Sequence, residues 1–201
     1  VEGLKLQGIT SPTEVQELTI PKALENIDII AESHTGSGKT LAYLCPIFQK
    51  INTEKKEMQA IILAPTHELV MQIDAQIKLL ANNSNIDITS LTIMGEANIE
   101  KQIKRLKEGK PHIIVGSSGR VLDLIKKKKI TPSESKISHS QQRDDGTCGG
   151  RWKVHNNGLN KEYIDSIITI PRKHFRAMPN VYSTIASDTA LHYYKIPKPH
   201  S

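Results

Sequence analysis

The sequence predicts an α/β fold: three layers, with a mostly parallel sheet and helices on both faces. Three observations predict it. Short apolar runs at 27–31, 60–64 and 112–115 each end at a turn residue or a polar stop, as strands buried on both faces do. Segments with helical periodicity follow them, and this alternation builds parallel βαβ units. The residues of chemical interest come directly after the runs, where open parallel sheets bind ligands.

In chain order, residues 2–24 read as loop and helix. Ser11 can cap, Pro12 suits a first turn, and Val15, Leu18 and Ile20 give a buried side that Pro21 interrupts. The run at 27–31 is the first strand. After it stands Ser33-His34-Thr35-Gly36-Ser37-Gly38-Lys39-Thr40, leading into Leu41-Ala42-Tyr43-Leu44. Strand, glycine-rich turn and helix, with Gly-Lys-Thr at the turn's end, form the context of a phosphate-binding loop. Glycines let successive N–H groups point at phosphate oxygens, and the helix adds its positive end. Lys39 would reach the β- and γ-phosphates and the Thr40 hydroxyl would ligate Mg²⁺. Ser33 stands where the loop pattern usually has Gly.

A helix runs to about Phe48, and the polar stretch 50–57 is a surface link. The strand at 60–64 stops at Pro65, and 68–80 is a helix with Leu69, Ile73, Ile77 and Leu80 on one side. Residues 82–85 are a loop and 86–94 are β-rich. A basic amphipathic helix follows at 98–106, then a strand at 112–115 closed by Gly116, then a helix from Arg120 to about Lys127. The post-strand loops Ser33 to Thr40, Pro65 to Glu68, Gly95, and Gly116 to Arg120 should line one edge.

These residues resemble the first RecA-like domain of DEAD-box ATP-dependent RNA helicases, over about residues 1–130. Pro12-Thr13-Glu14-Val15-Gln16 resembles the Q motif, and the phosphate loop resembles motif I. Pro65-Thr66-His67-Glu68-Leu69 resembles motif Ia, Gly95 stands where the family has a Gly pair, and Gly116-Ser117-Ser118-Gly119-Arg120 resembles motif Ib. The resemblance implies a RecA-like fold, ATP and Mg²⁺ as cofactors, and RNA as partner. It implies that Thr13 and Gln16 read adenine. It places ATP on Ser33, His34, Thr35, Gly36, Ser37, Gly38, Lys39 and Thr40. RNA backbone would lie on Pro65, Thr66, His67, Glu68, Gly95, Gly116, Ser117, Gly119 and Arg120. His67 replaces the family's Arg, so an imidazole stands for a permanently charged guanidinium. Ser117 and Ser118 replace Thr and Pro. Weaker RNA contact is expected there.

Past residue 130 the pattern breaks, as divergence, an altered reading frame or misassignment would each produce. The family's Asp-Glu-Ala-Asp strand end is not found. The lysine run 126–129 reads as a solvated helix end. Residues 131–150 are polar and read as loop. Asp144 and Asp145 stand at about the right distance to replace the acidic motif, against their reading as exposed loop carboxylates. Residues 163–170 read as helix or strand. Residues 181–186 read as a strand, with Ser187-Asp188-Thr189 echoing the family's Ser-Ala-Thr. The end, 195–199, reads as extended.

The 201 residues suit one domain, with the family's second, C-terminal RecA-like domain absent. The chain alone is therefore expected to bind ATP without unwinding duplexes. The alternative is a non-catalytic nucleotide- or RNA-binding module. A small-molecule kinase fits the loop but not the Q-like segment. A net charge of +6 favours a polyanionic partner, and two cysteines make neither disulfide framework nor zinc site. Cys45 reads as core. No signal peptide or membrane-length apolar run is read, so a cytoplasmic or nuclear setting without membrane contact is expected. The chain opens on Val1, as a fragment would.

Overall fold

The computed structural model describes residues 2–25, 28–34, 36–95, 98–130, 137–143, 149–155 and 191–195. Its helices are α1 (Glu2–Lys5), α2 (Glu14–Leu24), α3 (Lys39–Lys50), α4 (His67–Ser84), α5 (Ile99–Gly109) and α6 (Ser118–Lys126). Its strands are β1 (Asp28–His34), β2 (Ala60–Ala64), β3 (Ser90–Ile93), β4 (Ile113–Ser117), β5 (Ile137–Arg143), β6 (Gly149–His155) and β7 (Leu191–Lys195). They form one sheet in the order β3-β4-β2-β5-β6-β1-β7. Pairings β3/β4, β4/β2, β2/β5 and β1/β7 are parallel, whereas β6 runs antiparallel to both β5 and β1.

Alternation along the central strands divides the core. Ala60, Ile62 and Ala64 of β2, with Ile113 and Val115 of β4, face one layer. There they meet Val15 of α2, Leu44 and Ile47 of α3, and Ile73 and Ile77 of α4. Ile61, Leu63 and Ile114 face the other layer, against Ile103 and Leu106 of α5 and Val121 and Leu124 of α6. Strands covered on both faces have no solvent side, which is why β2 reads as Ala-Ile-Ile-Leu-Ala without a polar residue. Each fully buried Ile or Leu contributes about 1.5–3 kcal/mol.

Buried polar groups tie the layers together. Asp74 of α4 accepts from Ser90 Oγ at 2.6 Å and pairs with Lys78 at 2.7 Å, fixing α4 on β3. Gln102 of α5 donates to the Met94 carbonyl at 2.7 Å. His112 takes the Thr89 N–H on Nδ1 at 3.1 Å as the chain enters β4.

Three local expectations are corrected. Ser11 does not cap α2: Thr13 does, its N–H donating to Gln16 Oε1 at 3.1 Å. Pro21 does not interrupt the helix either. It sits inside α2, where it forfeits one backbone bond, yet Glu25 N–H still reaches its carbonyl at 3.1 Å. Residues 116–120 are not a loop: β4 runs to Ser117 and α6 starts at Ser118.

A larger departure concerns the stretch read as polar loop. Residues 137–143 and 149–155 are strands, and β5 lies at the sheet's centre, paired with β2 and β6. Both ladders are backbone-to-backbone and any side chain can supply them, whereas the sequence reading weighed side-chain polarity. Asp144, Asp145, residues 163–170 and residues 181–189 lie outside the described residues.

Candidate nucleotide and RNA site

The carboxyl ends of β1, β2, β3 and β4 all open on one edge. β1 is antiparallel to β6, which is antiparallel to β5, which is parallel to β2; β1 therefore shares the direction of β2. Two strands separate β1 from β2, so their ends stand three inter-strand spacings apart, about 14 Å.

At the β1 end the chain turns through Gly36 (φ 85°) and Gly38 (φ 87°), both left-handed, into α3. The first helical bond runs from Ala42 N–H to the Gly38 carbonyl at 3.2 Å. The amides of Lys39, Thr40 and Leu41 precede that ladder and point out of the helix head, where an anion is stabilised. Lys39 is buried, its Nζ donating to the Ser33 carbonyl at 2.8 Å and to Ser37 Oγ at 3.4 Å. Burial holds its ammonium below the ordinary lysine range. The Ser33 hydroxyl is buried with no hydrogen-bond partner among the described residues. Burial pushes the Tyr43 phenol up, opposed by a hydrogen bond with Thr40. Cys45 packs against the core, and burial raises its thiol as well.

Helix α2 braces this loop. Thr13 Oγ1 donates to the Ser37 carbonyl at 2.8 Å and Gln16 Nε2 to the Gly38 carbonyl at 3.0 Å. The segment resembling the Q motif is thus joined to the phosphate loop across more than twenty residues of sequence. The reading of Gln16 as an adenine reader missed this second role. The spacing Thr13-x-x-Gln16, a capping box, is the signal that could have shown Gln16 turned back on its own helix start.

The other loops gather at β2, β4 and β3. Thr66 caps α4, its Oγ1 accepting from Leu69 N–H at 3.3 Å, with Pro65 and Glu68 exposed beside it and His67 half-buried. Arg120, in the first turn of α6, donates to the Gly95 carbonyl and lies 4.0 Å from Asp123. That contact joins two motifs twenty-five residues apart. Gly116 is held by packing: an added Cβ would lie 2.7 Å from the Ile93 carbonyl and from Val121 Cγ2. Gly119 has open space where a side chain would go. The described residues thus form two groups on one edge, the phosphate loop with Thr13 and Gln16, and the Thr66–Gly95–Arg120 cluster. Thr35 lies outside them, and of His34 the backbone alone is described.

A family model described as DEAD/DEAH box helicase matches residues 13–139. The chain belongs to that family. It is 46% identical over 129 residues to the DEAD-box ATP-dependent RNA helicase CshC of Bacillus cereus, covering 64% of this chain and 32% of that one. The crystal structure of a DEAD box protein from the hyperthermophile Methanococcus jannaschii superposes with a TM-score of 0.72 at 26% identity. It covers 97% of this chain and 52% of that one. Mss116p bound to ssRNA and AMP-PNP gives 0.61 at 28% identity, over 67% of this chain and 28% of that one. The chain spans about a third of the length of the curated relatives it matches. The fold is accordingly that of the RecA-like domains of this family.

Proposed function

We propose that this chain is the ATP-binding and RNA-contacting domain of an ATP-dependent RNA helicase. The observation that carries the reading is the phosphate loop: two left-handed glycines, a buried lysine and a helix head, braced by Gln16. ATP would lie with its phosphates on the amides of residues 36–41. Lys39 would exchange the Ser33 carbonyl and Ser37 hydroxyl for β- and γ-phosphate oxygens. Gln16 keeps one amide hydrogen and one carbonyl lone pair beyond those it uses on Gly38 and Thr13, enough to read an adenine edge.

The donors fit Mg²⁺. Among the described residues no group of three or more His, Cys, Asp or Glu gathers. Magnesium on a nucleotide needs few protein ligands beyond the phosphates, and Thr40 can supply a hydroxyl. When bound, the ion would neutralise charge on the phosphates. Asp144 and Asp145 follow β5, whose carboxyl end faces this same edge, and they are the residues proposed to replace the family's acidic motif.

RNA would cross the second group. The heads of α4 and α6 offer amides to backbone phosphates there. An exposed helical glycine such as Gly119 is worth about 1 kcal/mol less than Ala, and it leaves room for close approach of a strand. Strand separation would require the second RecA-like domain.

Absence of the Asp-Glu-Ala-Asp run favours one other reading, a module that holds nucleotide and RNA without hydrolysis. Single-turnover cleavage of ATP, with and without RNA, decides between them. Cleavage that slows at least tenfold in Asp145→Asn supports catalysis. No cleavage, or a rate indifferent to that change, leaves the binding module. Neither form should separate a duplex; turnover in a strand-separation assay by these 201 residues would overturn that part.

Gln16→Ala tests the adenine assignment. The variant is expected to lose most of its preference for ATP over GTP. It should also weaken ATP binding about fivefold to tenfold, since one hydrogen bond bracing the loop disappears. An unchanged ATP-to-GTP ratio of affinities would reduce Gln16 to a strut.

A further inference from the structure

Apart from Arg120, the basic side chains of residues 98–130 run from the head of α5 away from the edge just described. Residues 98–130 carry ten lysines and arginines against three carboxylates, a balance of +7 in a chain whose total is +6. Helices between parallel strands run opposite to them, so the tails of α5 and α6 lie at the amino ends of β4 and β5. The link 51–59 enters β2 at that same edge, between them. Lys107 and Lys110 on one side and the lysines at 126–129 on the other form a rim, with Lys55 and Lys56 in the middle between Glu54 and Glu57. All of these are exposed. Adjacent strand ends are about 4.8 Å apart, which brings the three segments within reach of one bound chain. Lys101, Lys104 and Arg105, also exposed, line α5 from its head toward its tail.

A second observation is conformational. Three non-glycine residues among those described have positive φ: Asn85 (50°), Lys110 (38°) and Lys128 (54°). Asn suits that region, but a lysine there costs about 1–2 kcal/mol. Lys128 stands at the left-handed position of a complete helix-ending motif, with Lys128 N–H on the Ile125 carbonyl at 2.9 Å and Lys129 N–H on Leu124 at 2.8 Å. Glycine is the usual occupant. Both helices on this face therefore end in a strained lysine. Among the described residues, neither Lys110 nor Lys128 has a carboxylate within ion-pair distance; the nearby pairs are Lys104–Glu108 and Lys127–Asp123.

We propose that this rim and the α5 track bind a further length of single-stranded RNA, continuous with the strand held at the opposite edge. The chemistry is phosphate neutralisation without base readout: lysines dominate, and no Phe, Tyr or Trp lies among residues 98–130. The inference rests on the proposed RNA contact at Thr66, Gly95 and Arg120 for its continuity, and the test separates the two.

Affinity for polyuridine is measured with a short oligomer (about 8 nucleotides) and a long one (about 24 nucleotides) across a salt series. Lys110→Gly with Lys128→Gly removes two charges while relieving backbone strain, so the melting temperature should hold or rise. The double variant should bind the long oligomer about tenfold more weakly near 0.1 M salt, with its salt slope reduced by about 1.4. The short oligomer should be unaffected. Lys126→Gln with Lys127→Gln, on an exposed helix end, should repeat the effect. Equal long-oligomer affinity in wild type and variants overturns the rim, as does equal loss for both lengths. So does a wild type that binds anionic vesicles in preference to RNA. Loss of short-oligomer binding in Arg120→Ala, with the long-minus-short difference intact, would concern the opposite edge alone.

Discussion

Replacing Lys39 with Ala should lower affinity for ATP by a hundredfold or more, read by calorimetry with a non-hydrolysable analogue. A hydrogen bond to a charged group contributes about 1.5–3 kcal/mol, and the ammonium would make two to the phosphates, so the loss is about 3 kcal/mol at least. Short RNA should bind as before, because the strands that carry the Thr66–Gly95–Arg120 group lie about 14 Å or more from β1. The nucleotide-free chain should respond in the other direction. Burial depresses the Lys39 pKa, so the folded state binds that proton more weakly than the unfolded state does. The resulting cost is full below the folded pKa and is relieved as pH rises from there toward the unfolded value of 10.5. Lys39→Met keeps the apolar stem and removes the charge. Wild type should therefore gain stability relative to Lys39→Met as pH climbs through that window, in denaturant titrations without nucleotide. A constant difference would show that the ammonium is not desolvated. Undiminished ATP affinity in Lys39→Ala would remove the phosphate loop from the site.

Much of this arrangement was legible because period and punctuation agreed. β2 declared itself by five apolar residues stopped at Pro65, and α4 by Leu69, Ile73 and Ile77 at helical spacing. The phosphate loop was legible because a strand, two glycines and a helix head each leave their own mark. What escaped was whatever depends on backbone alone or on distant partners. β5 and β6 have polar sequences, and their place in the sheet comes from backbone pairing with β2 and β1. Pro21 reads as a breaker, yet α2 continues through it to Leu24 at the loss of one backbone bond. Gln16 and Arg120 were read for what they would do to ligands. Their bonds to the Gly38 and Gly95 carbonyls depend on tertiary approach, which no local pattern encodes.

Gly38→Ala should be the most damaging single change to the glycine-rich loop before α3 that leaves every charge in place. Its φ of 87° costs an L-residue about 1–2 kcal/mol, and the new Cβ would lie 2.5 Å from Gln16 Nε2 and 3.0 Å from Thr13 Oγ1. Both side chains must retreat, and each retreat breaks a bond to the loop, at about 1 kcal/mol apiece. A total near 3 kcal/mol lowers the melting temperature of a domain this size by about 6–12 °C. Two companion changes separate the causes. Gly36 has a similar φ of 85° but open space around it, so Gly36→Ala carries the strain without the collision and should cost about half as much. Gly119→Ala, at negative φ in a helix with nothing nearby, should be neutral or stabilise by up to about 1 kcal/mol. The expected order of melting temperatures is therefore Gly119→Ala highest, Gly36→Ala intermediate and Gly38→Ala lowest, with ATP affinity falling most in Gly38→Ala. If Gly36→Ala and Gly38→Ala melted together, the side chains of α2 would not be resting on the phosphate loop. Gln16 would then have no part in shaping that loop.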